Sequence, residues 1–316
     1  MRERDTTEQS EPWVAVVNPC SGKGPRKPAW PPLRALLEQQ GIPHQAVFTR
    51  YKGHAVALTR DHIAQGCRKF LAVGGDGTLN EVVNGIFTQH AVAPTEVTLG
   101  VLPTGTGNDW GRTYGLPRAA AQRVALVKRG RTLVQDAGRI QYRESGDLHT
   151  RFFINMAGLG LDGQVALATN ALKARGRAGR LVYAACILRS LAVFKAGPAR
   201  IVVDGTEHRL DLLSAVVGIG QFNGGGMRQA PNALTDDGLF DLTLIGAASK
   251  WRVAAHARRL YDGSIGAHER VVCLRGEEIL VEPDTPVMLE ADGESLGLTP
   301  ASFTIIPRSV RVIADR

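Results

Sequence analysis

The sequence predicts an α/β domain, doubly wound about a parallel sheet, followed by an antiparallel β-sandwich. Three observations lead there. Residues 13–131 alternate short apolar runs with segments whose apolar residues recur at helical spacing. From about Thr132 to residue 302, short apolar runs bounded by turn residues dominate instead. Glycine-rich loops follow two of the early runs, where an open α/β sheet binds its ligands.

The elements follow in order. Trp13 to Val17 is a short apolar strand running into the loop Asn18-Pro19-Cys20-Ser21-Gly22-Lys23-Gly24. Pro31 to Gln40 is a helix with Leu33, Leu36 and Leu37 inward, Gln45 to Thr49 a strand, and His54 to Gln65 a helix. Phe70 to Val73 and Leu79 to Phe87 form a third strand–helix pair, Val97 to Leu102 a fourth strand, and Arg118 to Lys128 a closing helix. Repeated strand–helix units of this kind imply a parallel sheet. In the second half, strands are expected at Phe152–Met156, Ile201–Val203, Ser214–Ile219, Phe240–Ile245, Val271–Leu274, Ile279–Val281 and Val287–Glu290. Helical inserts are expected at Ala178–Phe194 and Lys250–Tyr261. The last strands, within 303–316, are candidates to return to the first domain. Residues 1–12 are polar and charged and read as a frayed tail.

Composition narrows the classes. The chain has 316 residues, 44% of them apolar, enough for two real cores. Its net charge of +8 favours anionic partners: nucleotides, nucleic acid or acidic lipid headgroups. Cys20, Cys67, Cys186 and Cys273 lie far apart with no metal or disulfide spacing, which suits a reducing cytoplasm. No apolar stretch approaches the length that spans a bilayer. The basic residues are not interleaved with aromatics, as single-strand nucleic-acid binders require, so no nucleic-acid partner is expected.

The chemistry is concentrated in two loops. Gly74-Gly75-Asp76-Gly77-Thr78 lies between a strand and a helix start, where bare amides form an anion site. Thr78 and Glu81 fit a capping box that would fix the helix start. Asp76 adds a carboxylate beside bound phosphates, where Mg²⁺ would be wanted. Leu102-Pro103-Thr104-Gly105-Thr106-Gly107-Asn108-Asp109 also follows a strand and should lie beside the first loop. Together they would cradle a polyphosphate, although neither matches a Walker loop. Asp292-Gly293-Glu294 offers two carboxylates at a strand end, either of which could receive a proton. Lys173, Arg175, Arg177 and Arg180 precede an apolar helix with Leu181, Ala185, Leu188 and Leu191. That pattern suits either a solvated face or an anionic membrane surface. Ile219 to Gly226 is either a flexible turn or the flank of a lipid cleft.

Asn18-Pro19-x-Ser21-Gly22, Gly74 to Glu81, Leu102-Pro103-x-Gly105-Thr106-x-Asn108-Asp109 and Asp292-Gly293-Glu294 together resemble the diacylglycerol kinase catalytic domain family. That family includes bacterial lipid kinases and the sphingosine and ceramide kinases. The resemblance implies a nucleotide domain like that of NAD kinases and phosphofructokinases, joined to a β-sandwich. It implies ATP and Mg²⁺ as cofactors and transfer of a phosphoryl group to a lipid hydroxyl, with diacylglycerol the leading acceptor. Nucleotide contacts are implied for Thr49, Gly74, Gly75, Asp76, Gly77, Thr78, Asn80, Glu81, Gly105 and Thr106, while Asn18 and Asn108 are candidates either for nucleotide contact or for bracing their loops. Glu294 is the implied proton acceptor, with Asp292 its rival, and a structural Mg²⁺ is implied on Asp237 and the carbonyls of Leu234 and Leu239. A cytoplasmic chain that visits the membrane transiently, free to form a homodimer, fits this reading. An NAD kinase, which shares Gly-Gly-Asp-Gly-Thr, and a non-catalytic nucleotide or nucleic-acid binder are the alternatives.

Overall fold

The computed structural model describes residues 11–22, 29–105, 107–176, 179–248 and 258–315. Strands β1 (Trp13–Val17), β2 (His44–Phe48), β3 (Lys69–Gly74) and β4 (Thr98–Pro103) pair in parallel in the order β4-β3-β1-β2. Five helices belong to this half: α1 (Trp30–Gln39), α2 (His54–Ala64), α3 (Asp76–Thr88), α4 (Asp109–Thr113) and α5 (Ala120–Arg129). Residues of β1 alternate between two cores. Val14 and Val16 join Ala55 and Ile63 of α2 and Val82 and Ile86 of α3. Trp13, Ala15 and Val17 join Leu33 and Leu37 of α1 and Val124 and Val127 of α5. With both faces covered, all five residues of β1 are buried, which is why the run is apolar throughout.

The second half comprises β5 (Thr132–Glu144), β6 (Asp147–Phe153), β7 (Met156–Gly160), α6 (Leu161–Ala174), α7 (Arg180–Val193), β8 (Gly197–Val203), β9 (Thr206–Gly218), β10 (Phe240–Gly246), β11 (Val271–Gly276), β12 (Glu278–Pro283), β13 (Met288–Ala291) and β14 (Glu294–Ile313). Six of these strands close a ring, β7-β9-β8-β12-β14-β13 and back to β7, with every pair antiparallel. Closure leaves those strands without free edges. The flattened interior holds Phe153, Ile201, Val217, Phe240, Leu289 and Phe303. β14, 20 residues long, serves both halves. It begins in the ring and ends beside β4, where Arg311 and Val312 pair in parallel with Thr98 and Leu99. The sandwich is therefore hydrogen-bonded to the parallel sheet, with the cleft lying between them.

Departures from the sequence expectations concern helices first, the short α4 among them. α6 was not anticipated: Gly163, Thr169 and Asn170 dilute its helical pattern, and its stability comes from lying against β7, β9 and β13. The expected insert at Lys250–Tyr261 falls largely outside the described residues, with Arg259–Asp262 seen as a single helical turn. The strand expected at Phe152–Met156 is two strands, broken at Ile154 and Asn155.

Candidate active site

β3 and β4 are neighbours, so the loops leaving their C-terminal ends meet. The amides of Thr104 and Gly105 both donate to Gly74 O, at 2.8 and 3.3 Å. The two turns touch so closely that a Cβ on Gly105 would lie 2.8 Å from Gly75 Cα, which only glycine permits. α3 starts at Asp76, with extended Gly75 as its cap. Thr78 and Glu81 do not form the expected capping box, because the helix begins two residues before Thr78. Thr78 Oγ1 instead accepts from Asn18 Nδ2 at 3.2 Å, and Ser21 Oγ meets Thr104 Oγ1 at 2.6 Å. The loop after β1 is thereby tied to both turns. Asn18 Oδ1 also accepts from Cys20 N at 2.9 Å. Thr49 continues from β2 through its amide to Val17 O, at 2.9 Å. Thr106 lies outside the described residues. Beside the turns, Val17, Trp30, Phe48, Val73 and Thr104 line a mostly apolar cavity of about 250 Å³.

Asp76 braces the cradle. Its carboxylate accepts from the amides of Asn108 (3.0 Å) and Asp109 (3.2 Å), holding the second loop against the first helix turn. Burial raises its proton affinity, and those amides oppose the rise. Asp109 was named only as part of its loop. Burial first, and then the Asp76 charge, push its carboxyl up to about 6. Its Oδ2 accepts from Gly225 N at 2.7 Å, while Oδ1, with Arg112 Nε at 3.4 Å, accepts no hydrogen bond. A half-buried acid beside a buried one, with an oxygen to spare, suits a divalent ion carried in by a polyphosphate.

The acidic turn between β13 and β14 separates its two carboxylates. Asp292 is buried and accepts four hydrogen bonds, from Asn80 Nδ2 (2.9 Å) and the amides of Ile154 (3.2 Å), Asn155 (3.1 Å) and Met156 (3.0 Å). It fills the break between β6 and β7. Burial pushes its carboxyl up while those donors pull it back. With its lone pairs taken, Asp292 is a structural pin, and the expectation that it rivals Glu294 as the base is corrected. Glu294 faces the cleft. Its Oε1 stands where a Cβ on Gly77 would be, 2.4 Å away, so glycine at 77 brings the carboxylate onto the first turn of α3. Its Oε2 pairs with Lys52 Nζ at 2.8 Å.

Other candidate residues have different work. Asn80 is fully buried. Besides Asp292 it donates to Phe152 O (3.0 Å), and Arg151 Nη2 donates to it (2.6 Å). Glu81 accepts from the amides of Gly53 (2.8 Å) and Ala55 (3.1 Å), so it fixes the start of α2. Both residues hold neighbouring segments to α3, a bracing role beside the nucleotide contact expected of them. Asn108, left-handed at φ 52°, caps α4.

The implied structural metal does not fit. Asp237 Oδ2 is paired with Arg275 Nη2, and its Oδ1 accepts from its own Leu239 N at 3.2 Å. Arg275 Nε also reaches Asp241 Oδ2 at 3.2 Å. The guanidinium thus holds the Asp237 carboxylate, the one side-chain ligand expected beside the carbonyls of Leu234 and Leu239. Among the described residues no three His, Cys, Asp or Glu side chains gather to hold a metal by themselves.

A further group carries no sequence signal. Asp162 accepts from Gln229 Nε2 (3.1 Å) and from Ser214 Oγ; Glu290 accepts from Gly293 N (2.8 Å). Burial raises both carboxyls, Glu290 well above its ordinary range. The turn from Asn223 to Gly226 joins this group to Asp109, through Asn223 Nδ2 on Glu290 and Gly225 N on Asp109.

Two glycine-rich turns at parallel strand ends, faced across the cleft by the Glu294 carboxylate with Lys52 as its partner, suit a phosphotransferase. Comparisons with known proteins agree. Residues 12–140 match the diacylglycerol kinase catalytic domain, and residues 155–314 match the YegS C-terminal NAD kinase beta sandwich-like domain. A Staphylococcus aureus protein named diacylglycerol kinase is 30% identical over 299 residues, covering 95% of this chain and 91% of its own. The crystal structure of a Bacillus anthracis diacylglycerol kinase superposes with a TM-score of 0.67 at 22% identity, over 96% of this chain and 97% of that one. Yeast NADH kinase complexed with NADH shares the fold more distantly, with a TM-score of 0.51 at 12% identity, over 96% and 84%. The chain belongs to the diacylglycerol kinase family, and it is a kinase.

Proposed function

We propose that this kinase transfers the terminal phosphoryl group of ATP to a hydroxyl of a membrane lipid, with diacylglycerol the first candidate. The observation that carries this reading is Glu294 Oε1 standing over Gly77 at the start of α3. A base beside a phosphate-binding helix terminus is what in-line transfer to an alcohol needs. The triphosphate lies along the Gly74–Thr78 and Thr104–Asp109 turns, and the nucleobase enters the cavity beside Trp30 and Phe48. The acceptor hydroxyl gives its proton to Glu294. Its oxygen then bonds the γ-phosphorus as the bond to the β,γ-bridging oxygen breaks, and ADP leaves with that electron pair. Magnesium bound with the triphosphate would neutralise its charge, and Asp76 and Asp109 are the carboxylates that would hold it. Asp162 and Glu290, whose carboxyls burial pushes up, lie behind the Asn223–Gly226 turn as candidates to meet the acceptor's polar end.

The outer surface supports a lipid acceptor. Leu181 and Leu188 of α7 are 88% and 65% exposed, and Val193 follows them. Exposed Lys173 and Arg175 precede this helix and Arg189 lies on it. Apolar side chains ringed by basic ones suit insertion into an anionic bilayer surface, so a cytoplasmic enzyme would visit the membrane without spanning it. Among the described residues no helix is long and apolar enough to cross a membrane. The test is transfer of label from radiolabelled ATP, with magnesium, to vesicles containing diacylglycerol, ceramide, a sphingoid base or phosphatidylglycerol, alongside NAD. Label in a lipid supports the reading, and label in NAD alone overturns it.

A further inference from the structure

The sequence assigns no role to Lys52, yet its side chain touches the carboxylate on which the proposed chemistry turns. Its Nζ lies 2.8 Å from Glu294 Oε2, and the pair crosses the cleft. The two partners ride on different bodies. Glu294 begins β14 in the sandwich ring. Lys52 sits in the loop before α2, and Glu81 of α3 clamps that loop through the amides of Gly53 and Ala55. Lys52 is therefore anchored to the helix whose first turn belongs to the phosphate cradle. Its side chain is 70% exposed and that of Glu294 21%, so the bond between them is wet and weakly held. An ammonium in this place competes with any acceptor hydroxyl for Glu294. It also stands within a side chain's swing of the terminal phosphate site, at a helix start that already favours negative charge.

We propose that Lys52 is a phosphate-sensing clamp, whose ion pair with Glu294 is only its resting position. This rests on the ATP-dependent reading above. When the terminal phosphate arrives, Lys52 Nζ leaves the carboxylate for the phosphate oxygens, where a doubly charged group outbids a single charge. Glu294 is then free to bond the acceptor hydroxyl. During transfer the ammonium stays on the equatorial oxygens, and the proton still passes from the hydroxyl to Glu294. ADP lacks the group that draws Lys52 away, so the pair re-forms after transfer and withdraws the base from water. The clamp thus couples base availability to an unspent nucleotide and suppresses idle hydrolysis.

The test is calorimetric titration of magnesium ATP and magnesium ADP, without acceptor lipid, into the full chain and into Lys52→Met, Lys52→Arg, Glu294→Gln and the Lys52→Met/Glu294→Gln double variant. Lys52→Met should lose about tenfold in ATP affinity, the worth of one charge-assisted hydrogen bond, with ADP affinity unchanged and Lys52→Arg close to wild type. Glu294→Gln should bind ATP about threefold more tightly, because a weak surface pair no longer holds the lysine back. The double variant should lose that gain. In the lipid assay Lys52→Met should lower kcat by roughly 10²-fold. If Lys52→Met keeps wild-type kcat and its preference for ATP over ADP, the clamp is refuted. Equal losses for ATP and ADP also refute it, since they mark a loop brace. A wild-type chain that binds neither nucleotide brings down the ATP reading and the clamp with it, whereas failure of the variants alone brings down only the clamp.

Discussion

Asp76 and Asp109 crowd together beside the glycine turns, and Asp136, Asp237 and Asp241 crowd together where the loop leading into β10 meets β5 and β11. The two clusters differ in how their charge is met. In the second, Arg275 reaches Asp237 and Asp241, while Asp136 accepts from the amides of Arg308 (2.7 Å) and Gly238 (2.8 Å). In the first, Arg112 approaches Asp109 only to 3.4 Å, and one buried oxygen accepts no hydrogen bond. Charge that the chain neutralises itself belongs to the scaffold. Charge left short of partners in a cleft marks a place for a ligand.

The sharpest form of that contrast lies within one turn. Glu294→Gln should cut kcat by about 10²–10⁴-fold, the usual worth of a positioned base, with unfolding in urea unchanged. Asp292→Asn should do the reverse. It turns an amide NH₂ toward donors that now find a carboxylate, costing about 3 kcal/mol of stability. Steady-state kinetics and urea titration of the two variants decide the matter. Loss of turnover in folded Asp292→Asn, with Glu294→Gln active, would exchange the roles.

The uncompensated cluster makes a pH prediction. Folding moves the Asp109 carboxyl from 3.8 to about 6. Between those values the folded chain holds a proton that the unfolded chain has lost. The stability that this group contributes is full below pH 3.8, falls as pH rises to about 6, and stays lost above. The displacement corresponds to about 3 kcal/mol. Asp109→Asn keeps an oxygen for Gly225 N and never ionises. It should be more stable than wild type by about 2 kcal/mol at pH 8, with the gain shrinking toward pH 5. Thermal melts of both proteins across that range measure it. A difference that does not vary with pH would mean that Asp109 is ionised and satisfied throughout.

Much of this was legible in the sequence, and the failures have a common physical cause. The strands β1, β3 and β4 and the meeting of the two glycine turns follow from local apolar runs and from strand order, which parallel strand–helix units constrain. What the sequence conceals is where side chains end. Asn80 and Asp292 meet across 212 positions, and Glu81 caps a helix 26 positions earlier. Thr78 and Glu81 had the right spacing for a capping box, but Gly75 starts the helix sooner. The division of labour between Asp292 and Glu294 is set by backbone, with φ 48° at Asp292 and 82° at Gly293 turning one carboxylate into the protein and the other out. α6 hides because its support is the sheet beneath it.

Arg275 gives the smallest effect and the cleanest test of the scaffold cluster. If its guanidinium holds the carboxylate expected to bind a divalent ion, the wild-type chain should melt at the same temperature in EDTA as in magnesium, without nucleotide in either. Arg275→Met should lose about 1 kcal/mol, because the pairs it breaks are partly exposed. That corresponds to roughly 3 °C in Tm. The variant leaves Asp237 and Asp241 without their cation, so magnesium should now restore part of the loss. A wild-type chain that EDTA destabilises would show that Arg275 and a metal share the site, and the distinction between a finished cluster and an open one would have to be drawn elsewhere.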